Sequence, residues 1–562
     1  MILGILWLVW VIGGGQSCPN LSLQCSRREY FPDDQPLLLS PLIGIESVPS
    51  LYEAGIDDLA IGLERNHFTS ADLTYIARIN EVNDELHAVI ELNPDALAIA
   101  AMFDAKRSQG IVLRPLHGIP ILVKDTIATK DNMNNTAGSY ALVGAKVSSD
   151  STIARKLREA GAIILGKANL SQWGNYRATF NISDGWSAYG GQTYGPFYPH
   201  QNPSGSSSGS AVAASLGLAT VCIGGETSGS IIDPSSYNNI VGVKPTVGLT
   251  SRHLVIPISE HIDTVGPMTK TVKDAAYVLQ SIAGVDPLDN YTSAIPDSAD
   301  LDFVGACKLS ALAGARLGVP RNVISLMVDD STRSMVEGFD RALDVLRSAG
   351  AHVIDSTDFP AAQEFVDDNW SNLLELMGAD LVVDITKYLK QLVYNPHNIT
   401  NLAELRRWTQ SSSLEGYPKI PTSAWDASLS NWNNTEPGFW RAYQQGLYYG
   451  DEGGLLGTIR RHRLDAILLP THFSHSWAAV VGAPIVTVPM GVMPSEQPVI
   501  TDANGLVTAG PNIPFGLGFM GARFTDAKLI GLAYAFEQRT KARQTIYPYI
   551  LPQTDLHDDI SE

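Results

Sequence analysis

Two Gly/Ser-rich stretches lie between apolar segments in the first half of the chain, and they constrain the fold more than any other feature. The first spans residues 203–210 and the second spans residues 224–230. Taken alone, each has the composition of a flexible linker. Helix-compatible and strand-like apolar residues adjoin both stretches, so we interpret them as tight turns inside a folded domain.

Helical and strand-like patterns alternate around these turns. Residues 50–108 have a helical pattern, and the apolar run Ile119–Val123 that follows predicts a strand. Asp150 and Ser151 then precede a helix that ends at Gly161. Helical and loop segments are expected over 267–460, and further strands over 163–165, 240–243, 467–469 and 485–488. This order predicts an α/β fold.

Lys124 follows the apolar run directly, where its amine can be buried. Burial disfavours the ammonium form, so a buried lysine can act as a base toward a serine hydroxyl. The neighbouring Asp125 offers the alternative of a plain salt bridge, which an isolated lysine in this context would favour. The two serine-rich turns favour the base, because amide cleavage needs an activated nucleophile.

Each turn contains a serine in a position that suits catalysis. Ser206 precedes the small residues of segment 208–218 and is expected at a helix N-terminus, where backbone N–H groups favour negative charge. Ser230 follows an apolar run and a Gly-rich turn. Consecutive N–H groups over 227–230 can form a nest suited to an oxyanion.

A competing interpretation is the nucleophile elbow of α/β-hydrolases. Residues 205–209 match G-x-S-x-G with Ser207 as the nucleophile, and His472 or His475 would supply the base. Such an elbow follows a β-strand directly. Residues 195–203 contain three prolines, which argues against a central strand there.

Further segments match a known family in the same order along the chain. They are residues 115–125, 136–139, 165–170, the two serine-rich turns and 242–246. Through them the chain resembles the amidase signature family of Ser–Ser–Lys hydrolases from about residue 56 to residue 538, and it is most similar to the secreted or fungal-type amidases. The resemblance implies a single α/β domain with a large mixed β-sheet flanked by helices. It also implies hydrolysis of a small carboxamide through an acyl-enzyme, without a metal or other cofactor.

The resemblance also assigns roles to individual residues. Lys124 matches the base, Ser206 the bridging serine that a cis peptide holds, and Ser230 the acylated nucleophile. The N–H groups of Thr227, Ser228, Gly229 and Ser230 match the oxyanion hole that binds the substrate carbonyl.

The chain departs from the commonest family pattern at three positions near the nucleophile. Ser228 stands where a glycine is usual, Glu226 where an aspartate is usual, and Ile232 where an arginine often follows. The changes at positions 226 and 232 are consistent with the joint loss of an acid–arginine pair. Two alternatives to an amidase stay open at this point, namely an esterase that uses the same residues and a catalytically silent binding protein on the same fold.

Charge and residue spacing exclude other classes of function. The formal net charge of −19 disfavours a nucleic-acid partner. None of the four cysteines and twelve histidines has the spacing of a metal site. Cys222 lies in an apolar run and is expected to be a buried free thiol. The aromatic residues over 408–449 suit either an apolar substrate cleft or the packing of a helical layer.

The N-terminus predicts secretion. Residues 1–17 have the apolar core and small residues of a signal peptide, although they lack a Lys or Arg; a mis-assigned start or a buried strand is the alternative. The apolar run is too short to span a bilayer. We divide the chain into the signal peptide 1–17, an irregular segment 18–45, the amidase domain 46–552 and an acidic tail 553–562.

Secretion has two consequences for the mature chain. Cys18 and Cys25 can close a small loop in an oxidising compartment. Sequons predict a glycoprotein, with exposed sites expected in polar loops and two doubtful sites in segments that look like core. The expected exposed sites are Asn290, Asn398 and Asn433, and the doubtful ones are Asn169 and Asn181.

Overall fold

The computed structural model describes residues 48–113, 115–369, 371–431 and 433–556. The predicted signal peptide, the segment 18–45 with Cys18 and Cys25, and the end of the acidic tail lie outside these ranges. Residues 553–556 pack against the domain, because the Gln553 and Thr554 N–H groups donate to Glu81 and the Leu556 side chain is buried.

An eleven-stranded mixed sheet forms the centre of the fold. In chain order its strands are β1 (Val89–Leu92), β2 (Pro120–Lys124), β3 (Ile163–Ala168), β4 (Val221–Glu226), β5 (Val241–Lys244), β6 (Thr264–Thr269), β7 (Arg316–Val319), β8 (His352–Asp355), β9 (Ala466–Pro470), β10 (Ile485–Val492) and β11 (Pro514–Met520). Across the sheet the order is β1-β3-β2-β4-β6-β5-β10-β11-β9-β7-β8. Three two-stranded ribbons pair 146–147 with 392–394, 186–187 with 191–192, and 500–501 with 507–509.

Strand direction decides where the polar residues meet. Strand β2 runs parallel to both β3 and β4, with Val123 opposite Ile223. Lys124 at the end of β2 and Glu226 at the end of β4 therefore lie at the same edge of the sheet, where open α/β sheets bind their ligands. The strands from β4 through β6, β5, β10 and β11 to β9 pair antiparallel, and β7 and β8 continue parallel to β9.

Helices cover the sheet and add a separate layer between residues 371 and 450. They are α1 (Ile56–Glu64), α2 (Ile76–Leu86), α3 (Ala96–Ser108), α4 (Thr152–Glu159), α5 (Ser208–Ser215), α6 (Ile232–Tyr237), α7 (Val272–Ile282), α8 (Arg321–Met327), α9 (Arg333–Ser348), α10 (Ala362–Asp367), α11 (Ser371–Leu389), α12 (Leu402–Ser411), α13 (Ser423–Ser430), α14 (Pro437–Gly450), α15 (Leu455–His462), α16 (His475–Ala479) and α17 (Asp526–Thr540). The expected α/β architecture is confirmed.

Helix α4 illustrates how local sequence sets these elements. The Ser151 hydroxyl accepts a hydrogen bond from the Ala154 N–H and caps the helix. Ile153 and Leu157 are buried on its inner face. Gly161 follows with φ +92°, a conformation that favours glycine. The predicted start, inner face and end of this helix are confirmed.

Two parts of the secondary-structure prediction are wrong. Strand β1 interrupts the segment 50–108, which is expected to be helical. Strands β7 and β8, the ribbon strand 392–394 and the end of β6 lie within 267–460, where only helices and loops are expected. Strands β1, β7 and β8 have four residues each, and β1 and β8 form the two edges of the sheet. Strands this short contain few residues that could show a hydrophobic alternation, and the side chains of the edge strands β1 and β8 are also partly exposed.

The aromatic residues over 408–449 mainly pack the helical layer. Trp425 is buried, and its ring centroid lies 5.7 Å from that of Trp173 in an edge-to-face contact. Trp440 and Tyr448 are exposed on α14. Trp432 lies outside the described residues. The packing interpretation is therefore the better supported one, with Trp425 acting as a support behind Trp173.

Burial also tests the cysteine and sequon predictions. Cys222 is a buried free thiol, as expected. Asn169 is buried, whereas Asn181 is exposed, so the prediction that Asn181 belongs to the core is wrong. Asn290 and Asn398 are exposed and Asn433 is half-buried. Among the described helices, none is long and apolar enough to cross a membrane.

Candidate active site

Lys124 is buried at the end of β2 and contacts both serine-rich turns. Its Nζ lies 2.8 Å from Ser206 Oγ, 3.0 Å from Ser207 Oγ and 2.9 Å from the Gly225 carbonyl oxygen. Burial lowers the pKa of Lys124 to about 7, although Glu226 and Asp263 act in the opposite direction. The amine is therefore poised between its charged and neutral forms near neutral pH.

These three contacts are compatible with a neutral amine. A neutral amine has two N–H groups and one lone pair, and the Gly225 carbonyl requires one of the N–H groups. The Ser207 hydroxyl donates to the same carbonyl at 3.2 Å, so Ser207 can accept the second N–H of Lys124. The lone pair then faces the Ser206 hydroxyl, as a base requires.

The alternative of a salt bridge between Lys124 and Asp125 is not supported. The Asp125 carboxylate accepts hydrogen bonds from the Thr136 and Gly138 N–H groups and from the Thr136 hydroxyl. Burial raises the pKa of Asp125 to about 6. No ion pair between the two neighbours is found among the described residues, so the strand directs their side chains to different partners.

The two serine-rich turns lie against each other. The Gly205–Ser206 peptide is cis, as the resemblance implies, and Ser207 directly precedes α5. The Ser207 N–H donates to the Ser230 carbonyl at 3.0 Å. Lys124, Ser206 and Ser230 are thereby brought to one edge of the sheet, and all three are buried.

Glu226 shapes the turn that carries the predicted oxyanion hole. Its carboxylate accepts the N–H groups of Gly229 at 2.8 Å, Ile231 at 2.7 Å and Ile232 at 3.1 Å. The Gly229 N–H is thus already bonded in this structure. This leaves the N–H groups of Thr227, Ser228 and Ser230 as the candidates for oxyanion binding, and the assignment of Thr227, Ser228 and Gly229 stays a prediction.

The glutamate also accounts for one departure from the family pattern. Glu226 binds backbone N–H groups, including that of Ile232, and needs no arginine at position 232. Burial raises its pKa, while Lys244 and these N–H groups oppose the shift. The acid at 226 and the residue at 232 are therefore linked through the backbone of the turn.

A cavity of about 250 Å³ opens beside Lys124, Ser206 and Thr227. Trp173 and Tyr388 contribute aromatic surface to its wall, together with the apolar residues of segment 254–258. Five charged residues at the wall form ion pairs: Arg252 with Asp289 at 2.8 Å, and Lys387 with Glu260 at 2.8 Å and with Asp384 at 3.0 Å. The cavity suits a mainly apolar group with some polar contacts.

Sequence reasoning missed two residues of this site. From sequence, Ser207 is either the nucleophile of the competing elbow or part of the turn, and its contact with Lys124 is not predicted. Asp263 accepts the Thr227 hydroxyl at 2.6 Å and the Ile258 and Ser259 N–H groups, which ties the cavity wall to the turn. The adjacency of Ser206 and Ser207 was the available signal for the first, and nothing in the sequence pointed to the second.

A buried ion pair joins the helical layer to the site. Arg177 and Glu415 lie 3.1 Å apart and are both fully buried. Glu415 also accepts the Ser139 hydroxyl at 2.7 Å, the Tyr140 N–H at 2.8 Å and the Gln172 amide at 2.9 Å. The short helix 413–415 is therefore fixed to the two segments that precede and follow β3.

The nucleophile-elbow interpretation is not supported. Residues 195–203 form turns and isolated bridges, without the preceding strand that an elbow requires. His475 contacts Ser228, and no hydrogen bond between a histidine and Ser207 is found in the described part of the chain. The described residues also contain no cluster of three or more potential metal ligands.

Comparisons with known proteins agree with this geometry. The amidase family model matches residues 73–530, a range that contains all three site residues. An amidase-family protein of Arthroderma benhamiae is 50% identical over 533 residues, covering 91% of this chain and 89% of the relative. An amidase-family protein of Arabidopsis thaliana is 37% identical over 513 residues, covering 89% of this chain and 93% of the relative.

Solved structures give the same result. The peptide amidase of Stenotrophomonas maltophilia is 36% identical, with a TM-score of 0.78, and the match covers 89% of this chain and 99% of that chain. Both the sequence and the fold are therefore shared over nearly the whole described domain. The chain belongs to the amidase family and is a hydrolase of amide C–N bonds.

Proposed function

We propose that the protein hydrolyses a carboxamide through an acyl-enzyme on Ser230, with Lys124 and Ser206 as the proton relay. The observation that supports this most directly is the buried Lys124 amine, which lies 2.8 Å from Ser206 Oγ and contacts no carboxylate of the described residues. The neutral amine accepts the Ser206 proton, and Ser206 accepts the proton of Ser230 as the Ser230 oxygen attacks the amide carbon.

The tetrahedral intermediate places negative charge on the former carbonyl oxygen. The turn 227–230 supplies backbone N–H groups for this charge, and Glu226 fixes the turn from the protein side. Collapse breaks the C–N bond, and the relay returns a proton to the leaving nitrogen. Water then attacks the acyl-enzyme. The relay takes a proton from this water and returns a proton to the Ser230 oxygen, and the carboxylate is released.

For the substrate we propose the terminal carboxamide of a peptide or a compound of similar size. The likeness to a peptide amidase over 89% of this chain supports this class. The cavity supports it as well, because its aromatic and apolar wall suits a side chain and its paired charges suit a polar backbone.

The test is labelling with a fluorophosphonate followed by peptide mapping. We expect the label on Ser230, and we expect Ser230→Ala to lose both labelling and turnover of a C-terminally amidated dipeptide while it keeps the wild-type melting temperature. Turnover falls about 10⁴-fold or more when the nucleophile of such a constellation is removed. Retained hydrolysis by Ser230→Ala would overturn the assignment.

The same experiment separates the two alternatives. A silent binding protein takes no label, and the intact Lys124–Ser206 contact argues against it. An esterase is labelled like an amidase, so the matched ester and amide of one acyl group are compared by kcat/KM. A preference for the amide after correction for intrinsic reactivity supports the proposal.

We also propose that the protein is secreted and glycosylated. The proposal rests on the composition of residues 1–17 and on the sequons, of which Asn290 and Asn398 are exposed. N-terminal sequencing of protein from culture medium tests it, with a mature start near residue 18 expected. Intact residues 1–17 on protein retained in cells would contradict it.

A further inference from the structure

A chain of three polar side chains lies beside the turn that carries Ser230. The Ser228 hydroxyl lies 3.0 Å from Nδ1 of His475, and Nε2 on the opposite side of the ring lies 3.4 Å from the Asp233 carboxylate. The three residues come from the turn after β4, from α6 and from the start of α16. Both ring nitrogens of His475 therefore face a polar partner.

The turn packs closely on this pair. Gly229 has φ +83°, and a Cβ at that position would come within 2.9 Å of Asp233 Oδ2 and 3.4 Å of the His475 ring. Glu226 binds the backbone of the turn, at Gly229, and His475 binds the side chain of Ser228. The peptide units between Thr227 and Ser230 are thus fixed by two independent contacts.

The charge state of the pair excludes one role. Burial lowers the pKa of His475 to about 3, with His472 acting in the same direction. Burial next to Glu226 raises the pKa of Asp233. The imidazole is therefore neutral at neutral pH, and its low pKa makes it a weak base toward Ser228. A neutral imidazole still offers one donor and one acceptor, which suits it to orient a hydroxyl.

We propose that His475, oriented by Asp233, is a positioning residue that holds the Ser228 hydroxyl and thereby aims the N–H groups of the turn 227–230 at the oxyanion. This inference rests on the proposed function. The usual glycine at position 228 has no side chain for a histidine to hold, so the contact depends on the serine of this chain. Burial of polar groups costs free energy, which argues that His475 and Asp233 serve the active site and not packing.

The test compares two replacements of His475 that differ in which ring nitrogen they imitate. The amide of Asn reaches the place of Nδ1, whereas the amide of Gln reaches the place of Nε2. We expect His475→Gln to lower kcat for a C-terminally amidated dipeptide by about 10-fold to 100-fold, less than the loss of a whole oxyanion donor. His475→Asn should stay within about fivefold of wild type, because it can still contact Ser228.

The second measurement is the coupling between His475 and Ser228 in their effects on kcat. We expect Ser228→Ala to match the loss in His475→Gln, and the double variant to be no worse than either single variant. KM should change by less than about threefold, because the contact acts in the transition state. The rate of fluorophosphonate labelling at Ser230 should fall in parallel, since the phosphonate oxygen occupies the oxyanion position.

Ser476→Ala is the matched control. Ser476 lies 3.1 Å from the same Nδ1 atom but is outside the turn, so its removal should leave kcat within about twofold of wild type. Additive losses in the double variant, or equal losses for Asn and Gln, would overturn the positioning role. A fluorophosphonate label on Ser228 in Ser230→Ala would instead make Ser228 a nucleophile. Retained turnover in Ser230→Ala would overturn the proposed function, whereas the results for the His475 and Ser228 variants bear only on the positioning role.

Discussion

Lys124 Nζ lies 2.8 Å from Ser206 Oγ, while the carboxylate of the next residue, Asp125, binds Thr136 and Gly138. Neighbouring residues at a strand end project to opposite sides. Here this separates the Lys124 amine from a carboxylate that would stabilise its ammonium form, which cannot act as a base. The separation explains how a lysine can be buried without an ion pair, and it makes the pH dependence of the enzyme predictable.

We expect kcat/KM to rise with pH through about 7 and then to level off. Burial lowers the pKa of Lys124 to about 7, and the neutral form that accumulates above this pH is the base. Lys124→Ala should lose activity about 10³-fold. Lys124→Arg should be equally inactive because a guanidinium stays protonated. The pH profile and both variants are measured with one amide substrate, and an active arginine variant would exclude lysine as the base.

Ser206→Ala and Ser207→Ala should differ in severity although both serines contact Lys124. Removal of Ser206 breaks the relay, so we expect a loss of about 10³-fold in kcat. Ser207→Ala removes one contact and leaves Lys124 bonded to Ser206 and to the Gly225 carbonyl, so a loss of about tenfold is expected. Single-turnover kinetics measure both, and an inactive Ser207→Ala with an active Ser206→Ala would restore the nucleophile elbow.

Glu415→Ala should destabilise the fold by about 3 to 5 kcal/mol, because Arg177 then remains buried without its partner. The free energy of unfolding, from denaturant titration, measures this. The exposed helical pair Arg155–Glu159 is the matched control, and Glu159→Ala should cost less than about 0.5 kcal/mol. Equal effects of the two substitutions would show that burial of the pair does not matter.

Trp173→Ala should weaken binding of amides with a large apolar group. Trp173 lines the cavity and rests on Trp425, so its loss removes contact area and widens the cavity. We expect KM to rise about tenfold for a bulky substrate and kcat to change little. Trp440→Ala, at an exposed position on α14, serves as the control and should leave KM unchanged. A fall in kcat alone would place Trp173 in the chemical step.

The residues with strong local signals were predicted correctly from sequence. Strand β2 is a short apolar run that ends at Lys124, and α4 has a serine cap, an inner apolar face and a terminal glycine. Strand β6, in contrast, lacks a clear strand pattern in the sequence, because Gly266 and Pro267 lie within it. Strand β5 pairs with β6 only at Met268 and Thr269, so the missing N–H of Pro267 needs no partner on that side.

The network around the turn could be predicted only in part. The serines and the lysine stand in recognisable local patterns, whereas Asp233 and His475 meet Ser228 only through tertiary structure. Neither residue carries a spacing that points to the other. The same holds for Glu415, which reaches Arg177 across 238 positions of the chain. Contacts of this kind depend on packing that local patterns do not encode.

Strand β11, near the end of the chain, lies between β10 and β9 in the interior of the sheet. A nascent polypeptide that stops before Pro514 therefore contains Lys124, Ser206 and Ser230 but leaves two internal strands without their common neighbour. Such unpaired edges invite pairing with other chains. The sheet can close only after residues 514–520 have been synthesised, so we expect ribosome-bound chains that end before residue 514 to take no fluorophosphonate label. On that outcome, the interior position of β11 makes its synthesis a condition for activity.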